Sequence, residues 1–273
     1  MTAELTGQAL ALLRVGYLGG FLGAFAFFLL WEGGRPLVAS PTRRTHVARN
    51  VGLFAVTLGI MYVLLRPWLP GESARLPGMP EGLLGPLGLS KIALFVIGFL
   101  FGDLVEYLFH RLCHTWRWLW LVHAVHHSDP ELDVSSGLRF HPLEVALGTA
   151  LKFAVFAALG IPLWIEAARA VVVHPMNFLQ HANIAYPAWV ERRLPWLLVT
   201  PALHRLHHSP LEPETNSNYG VVLSAWDRLF GTYRHPPSER PARYGLSKLV
   251  ADSWQTVGGM LITPVRARRL GTL

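Results

Sequence analysis

Residues 123–127 read HAVHH and residues 204–208 read HRLHH, so one spacing of three histidines occurs twice in the chain. A third cluster, HRLCH, lies at residues 110–114, and the three clusters hold eight of the thirteen histidines. Histidine occupies about one position in 21, so a given triplet arises by chance with a probability of about 10⁻⁴. A repeated pattern of this kind indicates a shared chemical role, which requires a fold that brings the segments together.

The composition of the 273 residues indicates a membrane protein. Hydrophobic residues make up 52% of the chain, charged residues make up only 15%, and the mean hydropathy is +0.34. A soluble domain carries about a quarter charged residues. We therefore predict an all-α polytopic membrane protein with four to five membrane helices, including a helical hairpin that turns at Gly160-Ile161-Pro162. The apolar runs that predict these helices are 9–31, 51–69, 92–109, 145–164 and 167–184.

The distribution of arginine predicts which helix ends face the cytoplasm. The segment 32–50 holds four arginines, whereas the segment 70–90 holds one. Because positive residues stay on the cytoplasmic side, we expect the third predicted helix to deliver HRLCH to that side and the hairpin to return His181 there. The prediction is an integral, multi-pass membrane protein in which a cytoplasmic helical cap carries the histidines.

The net charge and the cysteine content narrow the class of protein further. The net charge of +7 follows from the excess of basic residues expected near the cytoplasmic face, so it does not indicate nucleic-acid binding. The single cysteine, Cys113, cannot form an intrachain disulfide and cannot by itself hold an iron–sulfur cluster.

The histidine spacing predicts a site for two metal ions. Neutral imidazole is a metal ligand, and two histidines four residues apart lie on one helix face. In His-x-x-His-His the two adjacent histidines point about 100° apart around a helix, so one triplet can contribute to two ions. The eight imidazoles exceed what one ion accepts. The predicted ligands are His110, His114, His123, His126, His127, His204, His207 and His208.

The remaining histidines occupy less distinctive positions. His181 lies at the inner end of the fifth predicted helix and is a ninth candidate ligand. His174 shares its helix face about 10 Å deeper, and we include it as a ligand, with a place in a substrate channel as the alternative. His141 is either a ligand or bound to backbone or a lipid headgroup. His46 and His235 have the setting of surface-loop residues.

Two acidic residues precede the first histidine cluster on one helix face. Asp103 and Glu106 lie seven and four residues before His110. A carboxylate that accepts the second N–H of a ligating imidazole fixes its tautomer and orientation. We predict this role in the catalytic centre for Asp103 and Glu106, with a polar contact to a neighbouring helix as the alternative.

A set of motifs in residues 90–235 resembles the fatty acid hydroxylase superfamily, often called the sterol desaturase family. The resemblance implies an integral-membrane, non-haem di-iron oxygenase whose histidine ligands, His181 included, lie on the cytosolic face. Some members have a histidine four residues before the equivalent of His181, whereas His174 precedes it by seven. The motifs are DLVEYLFHRLCH (103–114), HAVHHSD (123–129), LRFHPLE (138–144), QHANI (180–184), HRLHHS (204–209), ETNSNYG (214–220) and WDRLFGTY (226–233).

The resemblance also implies a reaction and partners. The expected function is O₂-dependent hydroxylation of a fatty acyl chain, a sterol or a related membrane lipid at an unactivated C–H bond, with two iron ions as cofactor. The alternatives are a lipid desaturase of the same family, a zinc-bound membrane protein without catalysis and a bis-histidine haem protein. No flavin, nicotinamide or haem motif occurs, so we expect electrons from a separate ferredoxin- or cytochrome-type protein. The expected regions are N-terminal membrane helices (1–90), the catalytic domain (91–235) and a basic, amphipathic tail (236–273).

Overall fold

The computed structural model describes residues 2–65, 82–236 and 244–270 of the chain. The regular structure of these residues is helical. These residues contain no β-strand, only two isolated antiparallel bridges, so the all-α prediction is confirmed. The α-helices of the described residues are α1 (Thr2–Gly34), α2 (Arg43–Leu65), α3 (Lys91–Thr115), α4 (Arg117–His127), α5 (Pro142–Leu159), α6 (Leu163–His181), α7 (Ala188–Arg193), α8 (Pro201–His207), α9 (Glu212–Thr215), α10 (Ala225–Leu229), α11 (Asp252–Gln255) and α12 (Val257–Leu270).

Three of these helices are long and apolar enough to cross a membrane. They are α2, α3 and α5, and only 22%, 28% and 17% of their most apolar stretches are buried within the protein. The outward-facing remainder suits contact with lipid. α1 adds a shorter apolar stretch, Leu18–Gly34. α6 was also predicted to cross the membrane, but it carries Glu166 and Arg169 and is not among the three.

The turn between α5 and α6 lies where the sequence predicted it. His141 precedes α5, and its Nδ1 atom accepts the N–H of Leu143 at 3.2 Å, which satisfies one of the unpaired donors of the first helical turn. α5 ends at Gly160, whose φ of 73° lies in the left-handed region that glycine adopts without strain. Pro162 then precedes α6.

The helix ends that carry the histidines gather at one end of the bundle. After α1, the N–H of Leu37 donates to the carbonyl of Asn183 just after α6 at 2.8 Å. The first turn of α2 contacts the segment that follows α4 through His46 and Asp129. At the opposite end, the N–H of Leu83 donates to the carbonyl of Ala158 near the end of α5 at 3.0 Å. The short helices α4 and α8 lie at the first of these two ends.

The C-terminal segment packs on the histidine-bearing helices. α12 contacts α4 and α2, and its residue Met260 is fully buried against Leu53 of α2 and Val125 of α4. The sequence predicted a basic, amphipathic tail at residues 236–273, and within it α12 packs on the helices named above.

His46 differs from its predicted setting. The sequence placed it in a surface loop, but it lies in the first turn of α2 and is only 7% exposed. Its two ring nitrogens lie 2.7 Å from a carboxylate oxygen of Asp129 and 2.9 Å from one of Asp133. Both aspartates belong to the segment after α4. A contact between residues more than eighty positions apart leaves no local signal in the sequence.

Candidate metal centre

Nine histidines from four helices meet in two adjacent groups. α3 contributes two of them, α4 contributes three and α6 contributes one. The last three come from α8 and from His208, which directly follows it. Within each group, one potential ligand atom from every histidine lies within 4.8 Å of the others. The first group is His110, His114, His123, His127 and His207, and the second is His126, His181, His204 and His208.

Adjacent histidines contribute to different groups, as the helical spacing predicted. His126 joins the second group and His127 the first, while His207 joins the first and His208 the second. The reason is the rotation of about 100° per residue in α4 and α8. Two short helices, each supplying an adjacent pair, thus place the two groups side by side.

Backbone carbonyl groups fix the ring orientation of two histidines in the first group. The Nδ1–H of His110 donates to the carbonyl of Tyr219 at 2.8 Å, and the Nδ1–H of His207 donates to the carbonyl of Ser217 at 2.7 Å. Both Nε2 atoms are therefore lone-pair acceptors. They face each other at 3.0 Å, and two acceptors cannot bond to each other. A shared cation would stabilise this arrangement.

Side chains fix two further rings of the first group. The Nδ1 atom of His123 lies 2.7 Å from a carboxylate oxygen of Glu144, to which it donates. The hydroxyl of Thr215 donates to the carbonyl of His207 at 2.9 Å, so it accepts from the Nδ1–H of His127 at 3.3 Å. The Nε2 atoms of His123 and His127 are buried and have no hydrogen-bond partner in the described part of the chain. Their free lone pairs suit metal ligation.

The second group has the same character. The Nδ1–H of His181 donates to the carbonyl of Asn177 at 2.7 Å, which leaves Nε2 as an acceptor. That Nε2 atom lies 2.9 Å from Nε2 of His204 and 3.3 Å from Nε2 of His126. Nε2 of His208 lies 3.1 Å from Nε2 of His204. The donor set of both groups fits metal ions that accept imidazole nitrogen.

Burial lowers the pKa of five histidines and so favours the neutral form that binds metal: His126, His127, His204, His207 and His208. Loss of solvent is the largest cause, and nearby imidazoles add to it. Together they lower the pKa of His207 to about 3. The same causes hold the pKa values of His126, His127, His204 and His208 well below their ordinary value.

Asp103 contacts a loop rather than a histidine. Its carboxylate accepts the backbone N–H of Val222 at 3.0 Å, the N–H of Leu223 at 3.1 Å and the indole N–H of Trp226 at 2.9 Å. The sequence analysis expected Asp103 to support His110. The helical spacing correctly fixed the side of α3 on which Asp103 lies, but it could not reveal that a segment 120 residues later covers this carboxylate.

Glu106 belongs to a set of four charged side chains shared by α3, α5 and α6. Its carboxylate pairs with Lys152 at 2.9 Å and with Arg169 at 2.8 Å, and Arg169 also pairs with Glu166 at 2.7 Å. The alternative that the sequence left open, a polar contact with neighbouring helices, describes its position.

The structure does not bring His174 into either group. Its ring packs edge-on against Phe21 of α1, with centroids 4.9 Å apart. His141 likewise stays outside, since its Nε2 atom contacts the carbonyl of Leu261 at 3.2 Å. The predicted backbone contact of His141 is thus present.

Two acidic residues near the centre received no firm role from the sequence. Glu144 lies in the LRFHPLE motif, three residues after His141, and its carboxylate accepts the N–H of His123. Its position in the sequence did not indicate a contact with α4. Asp227 accepts the N–H groups of Tyr219 and Gly220 at 2.7 and 2.9 Å. It thereby holds the loop whose carbonyl group binds His110.

The fold and the site define a class: an all-helical membrane protein with a buried polyhistidine centre at one end of its apolar helices. Within that class, the chain belongs to the fatty acid hydroxylase family, because the sequence model of that family, described as "Fatty acid hydroxylase", matches residues 95–232. The matched region contains all nine histidines of the two groups.

Several curated proteins are similar to the chain over this region. Ornithine lipid hydroxylase OlsE of Rhizobium tropici is 36% identical over 160 residues, which cover 57% of this chain and 46% of that protein. Alkylglycerol monooxygenase of Homo sapiens is 34% identical over 142 residues, 50% of this chain and 29% of that protein. Delta(7)-sterol 5(6)-desaturase of Eremothecium gossypii is 28% identical over 196 residues, 66% of this chain and 49% of that protein.

The similarity covers only part of each relative. The matched part of the chain spans less than half the length of each of these three curated proteins. No solved structure is significantly similar to the chain.

Proposed function

We propose that the protein is a membrane-bound di-iron oxidoreductase that uses O₂ to hydroxylate a lipid at an unactivated C–H bond. The observation that carries this proposal is the pair of buried histidine groups, each with imidazole nitrogens within 4.8 Å of one another, at the end of apolar helices. The names of the relatives, which include a lipid hydroxylase and a monooxygenase, support the reaction type.

The proposed ligands are the nine histidines of the two groups, and His174 is not proposed among them. Imidazole binds zinc, copper and iron alike, and the oxygenase relatives favour iron. Two iron ions bound there in the reduced state would supply the electrons that activate O₂ for attack on a C–H bond. The residues of the chain provide orientation, burial and access.

Orientation of the rings is the main contribution of the protein. Glu144, Thr215 and backbone carbonyls bind the outward nitrogens of the histidines, so the inward lone pairs are fixed before any metal arrives. The rings of α4 and α8 are buried, with 0–5% of each histidine exposed. This burial excludes bulk water from the place of reaction. The flanking helices expose apolar side chains, which suit a substrate that is itself a membrane lipid.

The source of electrons and the side of the membrane are also proposals. A separate ferredoxin- or cytochrome-type protein would deliver the electrons, since the sequence carries no motif for an organic redox cofactor. We place the histidine centre on the cytoplasmic side because the arginine-rich segment 32–50 lies at the same end of the bundle. The proposed four to five membrane crossings would be α2, α3 and α5, which are long and apolar enough, together with α1 and α6. One-sided labelling of Glu212→Cys would test the orientation, and labelling from the opposite side alone would contradict it.

Desaturation is the second candidate, and the similarity to a sterol desaturase favours it. Both reactions begin with removal of a hydrogen from a held C–H bond, and substrate position decides which product follows. The same histidine ligands would therefore serve hydroxylation and desaturation.

Lipid mass spectrometry of cells with and without the gene tests the proposed function. We expect a lipid that is one oxygen atom heavier only in cells with the intact gene, and we expect its loss in the His126→Ala variant. A product that lacks two hydrogens would identify the desaturase instead. If the lipids are the same in all three strains, or if the purified protein binds zinc and consumes no O₂ after reduction, the proposal is wrong.

A further inference from the structure

Two segments outside the helical bundle pack together beside α3. They are residues 195–199 and residues 222–230, here called the paired segments. The N–H of Ser224 donates to the carbonyl of Leu197 at 3.0 Å, and its hydroxyl donates to the carbonyl of Pro195 at 2.7 Å. The N–H of Val199 also donates to the carbonyl of Val222 at 2.9 Å. These bonds satisfy main-chain polar groups that the interior of a membrane would leave without water.

The paired segments lie at the depth of the middle of α3. They are bound there by the three hydrogen bonds that Asp103 accepts from Val222, Leu223 and Trp226. A membrane crossing needs about 20 residues, and α3 has 25. Wherever a 20-residue crossing is placed within Lys91–Thr115, Asp103 lies at least seven residues from both of its ends. Seven residues of α-helix are about 10 Å long. Whatever bonds to Asp103 therefore lies well below the membrane surface.

The side chains that the paired segments expose are large and apolar. Phe230 stacks on Tyr107 of α3 with ring centroids 5.3 Å apart, so this surface continues onto Leu108, which is exposed on α3. Exposed apolar surface of this size normally marks contact with a partner or a membrane. The exposed fractions are 72% for Trp196, 60% for Leu197, 69% for Leu229 and 39% for Phe230.

The one arginine of the paired segments is covered by aromatic rings. The guanidinium carbon of Arg228 lies 4.5 Å from the ring centre of Trp196 and 3.7 Å from that of Tyr233. The guanidinium also donates to the carbonyl of Pro195 at 2.9 Å. These contacts replace water around the charge.

We propose that the paired segments form a re-entrant element that lies in the hydrocarbon region of the bilayer, with Trp196, Leu197, Leu229 and Phe230 against lipid acyl chains. The occupant of this surface is bilayer lipid rather than a second protein, because the surface continues the lipid-facing side of α3 at the depth of Asp103. The exposed arginines of α7, Arg192 and Arg193, precede the element in the chain and suit phospholipid headgroups.

Spin labels tell lipid, water and protein contact apart at this surface. The full chain is reconstituted in phospholipid vesicles with single labels on Leu197→Cys and Leu229→Cys, both at exposed positions. Leu108→Cys on α3 serves as the lipid reference, and Glu212→Cys on α9 serves as the aqueous reference. The natural Cys113 is fully buried, and the unsubstituted chain gives the labelling blank.

We expect O₂ to relax the labels at 197 and 229 strongly and a water-soluble nickel chelate to relax them weakly. The label at 108 should behave in the same way, and the label at 212 should show the opposite pattern. Access of the nickel chelate equal to that at 212 would place the surface in water and overturn the proposal. Protection from both reagents would mean that a second copy or another protein covers the surface, which would also overturn it.

Discussion

Single residues hold the rings of the metal centre by the nitrogen that points away from it. His123 is held by the carboxylate of Glu144, while His110 and His207 are held by backbone carbonyls. Each bond fixes which nitrogen carries the proton, so the other nitrogen keeps a lone pair that suits a metal ion. The carboxylate is the strongest of these acceptors, and it is the one whose removal has the clearest expected effect.

Glu144→Ala should weaken metal binding without preventing it. The Nδ1–H of His123 would lose its partner, and loss of such a partner typically costs about 10–100-fold in metal affinity. Glu144→Gln retains an acceptor oxygen and should cost less. The measurement is competition for the metal with a chelator of known affinity, and Glu212→Gln, an exposed change outside the centre, is the matched control. Equal affinities for Glu144→Ala and the control would remove this role from Glu144.

The residue scale is also where prediction from sequence was weakest. The histidines were identified because their spacing repeats, whereas the carboxylates were assigned from helical spacing alone. That spacing gives the face of α3 on which Asp103 and Glu106 lie, but it does not tell which element packs on that face. Asp103 binds a loop and Glu106 binds Lys152 and Arg169. Glu144 comes from a different helix, so no local pattern connected it to His123.

Among the elements, α3 and α6 approach each other closely at Gly102. A Cβ atom at Gly102 would lie 2.5 Å from the guanidinium of Arg169, which is fully buried. Arg169 is held by Glu106 and Glu166, so it cannot move aside without breaking ion pairs. The charged set of α3, α5 and α6 therefore requires a residue without a side chain at this position.

Gly102→Ala should lower the melting temperature of the protein in detergent. The added methyl must displace Arg169 or separate α3 from α6, at a cost of about 1–3 kcal/mol. Gly59→Ala in α2 is the control, because no atom lies within 4 Å of its added carbon. There we expect no loss, or a gain of up to about 1 kcal/mol from the higher helix propensity of alanine. A melting temperature for Gly102→Ala at or above that of Gly59→Ala would be inconsistent with the packing described.

The elements themselves were largely predictable from periodicity. Apolar runs gave the positions of α1, α2, α3, α5 and α6, and Gly160 with Pro162 gave the turn between the last two. α4 and α8 were predictable as helices because the i, i+3, i+4 spacing of His-x-x-His-His places three imidazoles on one side of a helix, with the adjacent pair about 100° apart. The paired segments were not predictable, since their position depends on hydrogen bonds to Asp103, far away in the sequence.

For the molecule as a whole, the fold serves to bring distant histidines to one end of an apolar bundle. HRLCH and HAVHH lie on consecutive helices, whereas HRLHH arrives about 80 residues later after the α5–α6 turn. That convergence was predictable from the arrangement of apolar runs and from the chemistry of imidazole. The exclusion of His174 was not, because its distance from the groups depends on how α6 packs against Phe21 of α1.

The iron content of the purified protein tests the central claim most directly. Measured by mass spectrometry of the metal after anaerobic loading, the unsubstituted chain should hold two iron ions. His207→Ala and His208→Ala should each hold about one, since each removes a ligand from a different group, and His174→Ala should still hold two. One iron or none in the unsubstituted chain, or a loss in His174→Ala equal to that in His207→Ala, would contradict the account.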